Sequence, residues 1–244
     1  MNISIITVTY NQLNDFVEFF KSIFTNTNYN YELIVVDNNS TDGTKEYLTK
    51  LAQSSDKVKV ILLDDNYGEG RGYRIGMQLA NYEYIVKCDP DILVPPNWDV
   101  SLISYYESLP LIIKEKTGTV SAQQQLILGW GTRRIFIDNV EIIECETILG
   151  ALFLIPKRTI LICGYWPEEF FYGNCEPMYA YKMQSYGLKS LIHPTLKIIH
   201  KCRFQTKKRE DNLNTFYNEG HKFIKAYREF WESKGKSFFR KLLP

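Results

Sequence analysis

The sequence has no pair of cysteines at CxxC spacing, and its five cysteines are scattered over 244 residues. An odd, scattered set in a chain of this size is typical of reduced thiols rather than of a disulfide framework. No apolar run reaches about eighteen residues, which argues against a membrane-spanning helix. The opening MNISIITVTYNQ lacks a positively charged start, so we expect no secretory signal and a cytoplasmic protein.

Basic residues are distributed unevenly along the chain, with an excess of them at its end. The net charge is +1, but residues 201–244 hold twelve Lys and Arg against five Asp and Glu, which leaves −6 on the remainder. A nucleic-acid-binding protein spreads basic charge over its main surface, so this class is disfavoured. Apolar residues recur at helical spacing among the basic ones near the end. We therefore predict a basic amphipathic extension over 206–244, which either docks on its own domain or contacts a membrane surface.

Residues 1–205 are predicted to form one α/β domain, because apolar strand-like runs alternate with helical patterns. The strand-like runs of the first half are ISIITVT, YELIVVD, VKVILL and YEYIVKC, and a helix is predicted from about 68 to 81. Such alternation implies a mostly parallel, Rossmann-like sheet with helices on both faces. In these sheets ligands bind at the carboxyl ends of the strands.

The second half is less regular. We predict helices near 97–107 and 175–186, short strands near 118–122 and 134–138, and a strong strand over TILGALFLIP. Two further strands are predicted at KSLIH and LKIIH.

Two aspartates, Asp89 and Asp91, flank Pro90 directly after the fourth apolar run. Proline disfavours the helical region for the residue before it, and side chains two apart on an extended segment point the same way. Two like charges on one side repel unless a cation lies between them, and Mg²⁺ or Mn²⁺ prefers such oxygen ligands. The position at a strand end favours a metal–diphosphate site over two solvated aspartates.

Four segments, ISIITVTYN, ELIVVDNNSTDGT, KCDPDILVPPNW and ILGALFLIPKRTILICGYWPEEFFYGNCEPMYAYKMQSYG, occur in this order. With them the chain resembles family 2 glycosyltransferases of the GT-A fold over roughly residues 1–200. The resemblance implies transfer of a sugar from a nucleotide diphosphate donor to a glycan or lipid-linked acceptor hydroxyl. It also implies Mn²⁺ or Mg²⁺ on the diphosphate, with UDP-sugars favoured and GDP or dTDP as alternatives.

The resemblance places donor binding at the ends of the early strands. In the family the aspartate at the position of Asp37 accepts a hydrogen bond from the nucleobase, as a carboxylate can; the alternative is an Asx-turn or a helix cap. The glycines after residue 67 are expected to let backbone approach a ligand. One of the two arginines Arg71 and Arg74 is expected to face the diphosphate or Asp89, with Arg74 preferred. The alternative is that both lie on a solvated helix face. The full implied donor set is Thr9, Tyr10, Asn11, Asp37, Asn66, Arg71, Arg74, Asp89, Gly150 and Ala151.

Catalysis is assigned to Glu176. The family often has an acidic pair before a helix; the matching positions here are Cys175 and Glu176, and a further expected acid is Met178. A carboxylate can accept the proton of the acceptor hydroxyl, although an acid at a helix start also complements the helix dipole.

A late histidine completes the metal shell in related enzymes, so His200 is implied as a ligand beside Asp89 and Asp91. His193 is the weaker candidate for that position. Small residues such as Gly150 floor the sugar pocket in the family. The residues implied to flank the acceptor are Trp130, Trp166, Glu168 and Glu169.

Two alternatives differ from a transferase. A phosphotransferase with an aspartyl nucleophile also uses D-x-D, but usually after the first strand. A catalytically silent nucleotide-sugar-binding protein is the other, because positions 175 and 178 lack the acids of the family.

Overall fold

The computed structural model describes residues 1–124, 132–171, 173 and 175–201. Its strands are β1 (Asn2–Thr9), β2 (Asn30–Asp37), β3 (Val58–Leu62), β4 (Tyr84–Cys88), β5 (Ile92–Leu93), β6 (Thr117–Gln123), β7 (Thr132–Ile137), β8 (Val140–Cys145), β9 (Leu152–Pro156), β10 (Lys189–Lys197) and β11 (Ile199–His200). Its helices are α1 (Leu13–Asn26), α2 (Thr44–Ser54), α3 (Gly68–Leu79), α4 (Trp98–Ser108), α5 (Leu111–Lys114), α6 (Lys157–Cys163) and α7 (Cys175–Ser185).

Nine strands form one sheet in the order β3-β2-β1-β4-β9-β6-β10-β8-β7. Strands β3, β2, β1 and β4 are parallel, and β10 is parallel to β6. Strand β9 runs antiparallel to both β4 and β6, and β8 runs antiparallel to β10. The sheet is therefore mostly parallel, as predicted, and its first half brings the carboxyl ends of β1, β2 and β4 to one edge.

Each face of the sheet packs on its own set of helices. Residues such as Ile5 and Val35 face one core, which contains the α1 phenylalanines and Trp98 of α4. Their strand neighbours, such as Ile6 and Val36, face the second core beneath α3, α6 and α7. Alternating side chains on buried strands require apolar residues at every position, which explains the continuous apolar runs in the sequence.

The second half differs from the prediction in several places, and β5, α5 and α6 were not predicted. TILGALFLIP contributes a strand only at Leu152–Pro156. KSLIH lies within β10, whereas LKIIH is divided between the end of β10 and β11. Strand β8 was missed. The prediction for 206–244, including an amphipathic helix and a domain boundary after residue 205, lies outside the described residues. Among the helices that are described, none is long and apolar enough to cross a membrane. The four described cysteines are free and buried.

Candidate active site

Two buried oxygens lie at the carboxyl ends of β1 and β2, where Thr9 and Asp37 are neighbours in register. Asp37 Oδ2 accepts a hydrogen bond from the backbone N–H of Ser40 at 2.9 Å. Its Oδ1 and the hydroxyl of Thr9 have no hydrogen-bond partner among the described residues. A buried polar atom without a partner costs about 1–3 kcal/mol, so these atoms favour a ligand that supplies donors and acceptors.

The turns after β1 and β2 are tied together by Asn11. Its backbone N–H donates to Ser40 Oγ at 2.9 Å, and its side-chain oxygen accepts from the Thr41 N–H at 2.7 Å. Asn11 thus shapes the rim through these contacts, with a φ of 53° that asparagine tolerates. Tyr10 projects from the same turn and is 46% exposed, which leaves its ring accessible to a ligand.

Asp89, Asp91 and His200 each offer a ligand atom within 4.8 Å of the others. His200 reaches this position because β11 pairs with β5, opposite Ile92, and the Lys201 N–H donates to the Asp91 carbonyl at 2.9 Å. His200 Nε2 lies 3.2 Å from Asp91 Oδ1. The structure therefore brings together all three residues of the implied metal set.

The three side chains shift one another's pKa values. Burial raises the pKa of Asp89, and the ammonium of Lys87 opposes that rise. Burial alone would raise the pKa of Asp91, but the hydrogen bond with His200 outweighs it and the pKa is lowered. Burial alone would lower the pKa of His200, and the carboxylates of Asp91 and Asp89 raise it instead. The cluster therefore attracts positive charge.

A lysine that the sequence analysis did not single out lies at the centre of the acidic groups. Lys87 is 0% exposed, and its ammonium lies 2.5 Å from Asp89 Oδ1, 3.1 Å from Glu176 Oε1 and 3.4 Å from Glu69 Oε1. It also donates to the Gly150 carbonyl at 2.7 Å. Burial raises the pKa of Glu69 to about 7, with Lys87 opposing and the neighbouring carboxylates adding to the rise.

Glu176, the proposed base, begins α7 and points towards β4 and the 148–151 turn. A Cβ atom added to Gly150 would lie 2.6 Å from Glu176 Oε1, so glycine is required for this close approach. The Asp89 N–H donates to the Ala151 carbonyl at 2.8 Å, which fixes the same turn against the end of β4. Gly150 and Ala151 thus lie beside the acidic cluster, and their role as the floor of a sugar pocket stays a prediction.

Neither of the two arginines of α3 pairs with Asp89 in the structure, so that half of the expectation is wrong, while an arginine that faces the diphosphate stays a prediction. Arg71 is exposed and stacks over the Tyr67 ring at 4.2 Å, while Arg74 pairs with Glu168 at 3.5 Å. Two other residues of α3 face the site: Glu69, beside Lys87, and Tyr73, whose hydroxyl donates to Asp89 Oδ1 at 3.0 Å. The cation beside Asp89 is instead Lys87, because side chains two apart on an extended segment point to the same side.

The glycines of α3 let other parts of the chain pack closely against the helix. A Cβ atom at Gly68 would lie 2.3 Å from the Phe171 carbonyl oxygen, and one at Gly72 would lie 2.7 Å from Val8. Asn66, implied to bind the donor, accepts a hydrogen bond from the Gly68 N–H at 3.0 Å through its side-chain oxygen, which forms an Asx-turn directly before α3. Close packing within the chain is thus one reason for these glycines, and a backbone that approaches a ligand here stays a prediction.

The acceptor residues are not brought together. Trp166 is fully buried between Phe153 and Tyr179, so it is a core residue and cannot contact an acceptor in this structure. Glu168 and Glu169 are exposed. Trp130 lies outside the described residues.

His193 is a structural residue, which agrees with its lower rank as a ligand. Its Nδ1 accepts hydrogen bonds from the Thr195 and Leu196 N–H groups at 3.1 and 2.9 Å. Burial lowers its pKa.

The sequence did contain a signal for Lys87. A lysine in the middle of the apolar run YIVKC is on a buried strand, and a buried lysine requires a carboxylate or carbonyl partner. Its position two residues before Asp89 identifies one partner. Glu69 gave no comparable signal, because it lies in a glycine-rich helix start with an ordinary polar pattern.

Residues 4–119 match the model of the family Glycosyl transferase family 2. A curated relative, poly-beta-1,6-N-acetyl-D-glucosamine synthase of Staphylococcus aureus, is 23% identical over 174 residues, which are 65% of this chain and 40% of the relative. The chain spans about two fifths of the curated relatives it matches.

Two solved structures share the fold. A mannosyltransferase, PcManGT from Pyrobaculum calidifontis in complex with GDP-Man and Mn²⁺, has a TM-score of 0.66 and 18% identity, covering 83% of this chain and 57% of its own. GalNAc-T7 with UDP, GalNAc and Mn²⁺ has a TM-score of 0.67 and 19% identity, covering 82% of this chain and 43% of its own. Residues 4–119 thus match the model of Glycosyl transferase family 2, and the described part of the chain is folded as the GT-A glycosyltransferases are.

Proposed function

We propose that the chain transfers a sugar from a nucleoside diphosphate donor to an acceptor hydroxyl, with a divalent cation held by Asp89, Asp91 and His200. The observation that carries the proposal is the convergence of these three side chains at the end of β4. The unpartnered oxygens of Asp37 and Thr9 lie at the ends of the adjoining parallel strands. One edge of the sheet therefore offers partners for both a nucleobase and a diphosphate.

The residues present fit Mn²⁺ or Mg²⁺. Two carboxylates and one imidazole suit a hard divalent cation that completes its shell with phosphate oxygens. Three carboxylates, those of Glu69, Asp89 and Glu176, surround one buried ammonium, and the carboxylate of Asp91 lies against His200. The acids of the site therefore outnumber the lysine, which favours a bound cation. When bound, the cation would neutralise charge on the departing diphosphate. The Mn²⁺ in PcManGT and GalNAc-T7 supports this assignment.

Glu176 is proposed as the general base of an inverting displacement. Its carboxylate takes the proton of the acceptor hydroxyl, whose oxygen forms a bond to the anomeric carbon of the sugar. The bond from that carbon to the diphosphate oxygen breaks, and its electron pair leaves with the diphosphate. Attack from the face opposite the leaving group inverts the anomeric configuration, in line with the family resemblance.

We propose a UDP-sugar as the donor, with GDP- or dTDP-sugars as the next candidates, and a glycan or lipid-linked glycan as the acceptor. The names of the S. aureus relative and of GalNAc-T7 with UDP support this choice. A carboxylate such as Asp37 accepts from the N3–H of uracil, which the unpartnered Oδ1 is free to do. The reaction is placed in the cytoplasm, at a membrane face where the acceptor is lipid-linked.

The experiment is a thermal-shift panel of UDP-, GDP- and dTDP-sugars on the full chain, each with and without Mn²⁺. At a hundredfold excess over the dissociation constant, a cognate donor with Mn²⁺ is expected to raise the melting temperature by about 5–10 °C. Asp91→Ala should lose the Mn²⁺-dependent part of the rise. The exposed Asp56→Ala is the matched control and should keep it.

Turnover separates a transferase from a binding protein. A transferase releases free nucleoside diphosphate from the stabilising donor, whereas a silent binding protein is stabilised without consuming it. A chain that no donor stabilises, with or without Mn²⁺, would contradict the proposed function.

A further inference from the structure

The ammonium of Lys87 joins elements from three parts of the chain. Strand β4 carries Lys87 and leads into Asp89, the first turn of α3 provides Glu69, and the first turn of α7 provides Glu176. The side chain of Lys87 is 0% exposed. It therefore cannot contact a donor or an acceptor, and any effect it has on the reaction must act through the carboxylates.

A buried ammonium contributes little net free energy to folding. Moving such an ion out of water costs several kcal/mol, and replacing a buried ion pair with an apolar residue of similar volume is often neutral or stabilising. Apolar groups do approach Lys87, because the Tyr73 and Phe153 rings lie 4.6 and 5.8 Å from its nitrogen, but the same nitrogen is the shared partner of three carboxylates. Retaining the charge there calls for a role other than packing.

The contacts of Lys87 fix one oxygen of each functional acid. Asp89 Oδ1 accepts from both Lys87 and the Tyr73 hydroxyl, so the orientation of this carboxylate is set from the interior side. Glu176 Oε1 accepts from the same ammonium at 3.1 Å. Both carboxylates are therefore held through one nitrogen atom, which sets the distance between them.

We propose that Lys87 is a positioning residue for sugar transfer, which holds the base Glu176 in a fixed place relative to the donor-side acid Asp89. This inference rests on the proposed function. In an in-line displacement the base and the diphosphate lie on opposite sides of the anomeric carbon, and a misplacement of about 1 Å can cost about a hundredfold in rate. A shared ammonium couples the two sides directly.

The test is a double-mutant cycle of Lys87→Met and Glu176→Gln in the full chain, assayed as release of nucleoside diphosphate from the stabilising donor with Mn²⁺. Lys87→Met is expected to lower kcat by about a hundredfold, because the base is no longer held, and to change the donor KM far less. In the Glu176→Gln background, Lys87→Met should lower kcat by no more than about tenfold, because the base that it positions is already absent. Additive losses would show that Lys87 does not act through Glu176 and would overturn the inference.

Lys59→Met is the matched control. Lys59 lies on β3, away from the acidic cluster, and also pairs with a carboxylate, that of Glu32. The kcat of Lys59→Met should therefore equal that of the wild type. If Lys87→Met does not fold, Glu176→Asp serves instead, because one methylene fewer withdraws the carboxylate from the Lys87 ammonium while keeping its charge. Wild-type kcat in Glu176→Asp would equally overturn the inference.

The two proposals fail in different ways. A wild-type chain that neither binds nor consumes any donor contradicts the proposed function itself. A wild-type chain that consumes donor, together with a folded Lys87→Met variant of equal kcat, contradicts only the role of Lys87.

Discussion

Single atoms decide the chemistry of the acidic cluster. The unpartnered Asp37 Oδ1 and Thr9 hydroxyl create a local preference for a ligand, while Lys87 removes the repulsion among neighbouring carboxylates. A missing atom matters as much: Glu176 approaches the 148–151 turn only because Gly150 has no Cβ. The absence of that carbon is therefore part of the site.

Gly150→Ala is predicted to displace Glu176. The added Cβ would lie 2.6 Å from Glu176 Oε1 and 2.9 Å from its Cδ, so the carboxylate must move away from Lys87. We expect donor turnover to fall by at least about tenfold, with donor binding largely retained, as for loss of a positioned base. The measurement is kcat and KM for nucleoside diphosphate release.

Gly118→Ala is its control. A Cβ there would lie 2.5 Å from the Met183 sulfur, near the far end of a flexible side chain that can move. It should change stability without changing kcat. Equal kcat in Gly150→Ala and the wild type would show that the Gly150–Glu176 approach has no catalytic consequence.

Among the elements, the start of α3 depends on the segment 167–173. The Glu69 N–H donates to the Phe171 carbonyl at 2.7 Å, and the Gly70 N–H donates to the Phe170 carbonyl at 3.3 Å. The Gly173 N–H donates to Glu69 Oε2 at 3.3 Å. These bonds satisfy donors that a helix start leaves free, and they hold Glu69 towards Lys87.

Gly70→Ala is predicted to destabilise the protein although alanine is the better helix former. Helix propensity alone would stabilise by up to about 1 kcal/mol. Against this, the Cβ would lie 2.6 Å from the Pro167 carbonyl oxygen and 2.7 Å from that of Phe170, and backbone cannot give way cheaply. We expect a net loss of about 1–3 kcal/mol, as for overpacking.

Chemical denaturation of Gly70→Ala measures the loss, with Arg71→Ala as a control on the exposed face of the same helix. The control should change the free energy of unfolding by less than about 0.5 kcal/mol. A more stable Gly70→Ala variant would mean that segment 167–171 does not bear on the helix start.

The elements also show which parts of the fold the sequence could predict. Strands β1 to β4 were predicted because continuous apolar runs and intervening helical periods are local signals. Strand β8 was missed, although the positive φ angles of Asp138 and Asn139 fit a two-residue hairpin turn that this pair favours. KSLIH and LKIIH read as two strands because Pro194 interrupts the run. In the structure β10 continues through Pro194 to Lys197, with a shift of register against β6 between Ile192 and Lys197, and the rest of LKIIH forms β11.

At the scale of the molecule, the site is assembled from distant parts of the sequence. Asp89 and Asp91 were predicted from their own neighbours, and Glu176 and His200 from the resemblance. The centre formed by Lys87 was not, because its partners at 69, 150 and 176 come together only through tertiary packing. Charges that meet across the fold leave no periodic pattern in the chain, whereas buried strands do.

Glu32 joins three strands through its carboxylate. It accepts from Ser4 Oγ on β1 at 2.6 Å and Lys59 Nζ on β3 at 2.5 Å, and from the Asn81 backbone N–H at 2.7 Å. Burial alone would raise the pKa of Glu32, but the hydrogen bonds from Lys59, Ser4 and Asn81 outweigh burial, so the pKa is lowered. The whole molecule is therefore expected to lose stability when this carboxylate is protonated.

A lowered folded-state pKa stabilises the protein above the unfolded-state value, near 4.3, and the stabilisation disappears as pH falls through the folded-state pKa. Glu32→Gln should therefore be less stable than the wild type by about 1–3 kcal/mol at pH 7, because bonds to a charged acceptor are weakened. The difference should shrink steadily below about pH 4.3.

Urea denaturation of the wild type and Glu32→Gln between pH 7 and pH 3 measures this difference, and comparing the two proteins cancels the other titrating groups. The exposed Glu46→Gln is the control and should follow the wild type at every pH. If the difference in free energy of unfolding between the wild type and Glu32→Gln stayed constant with pH, the charge of Glu32 would contribute nothing to stability, because acidification removes only that charge.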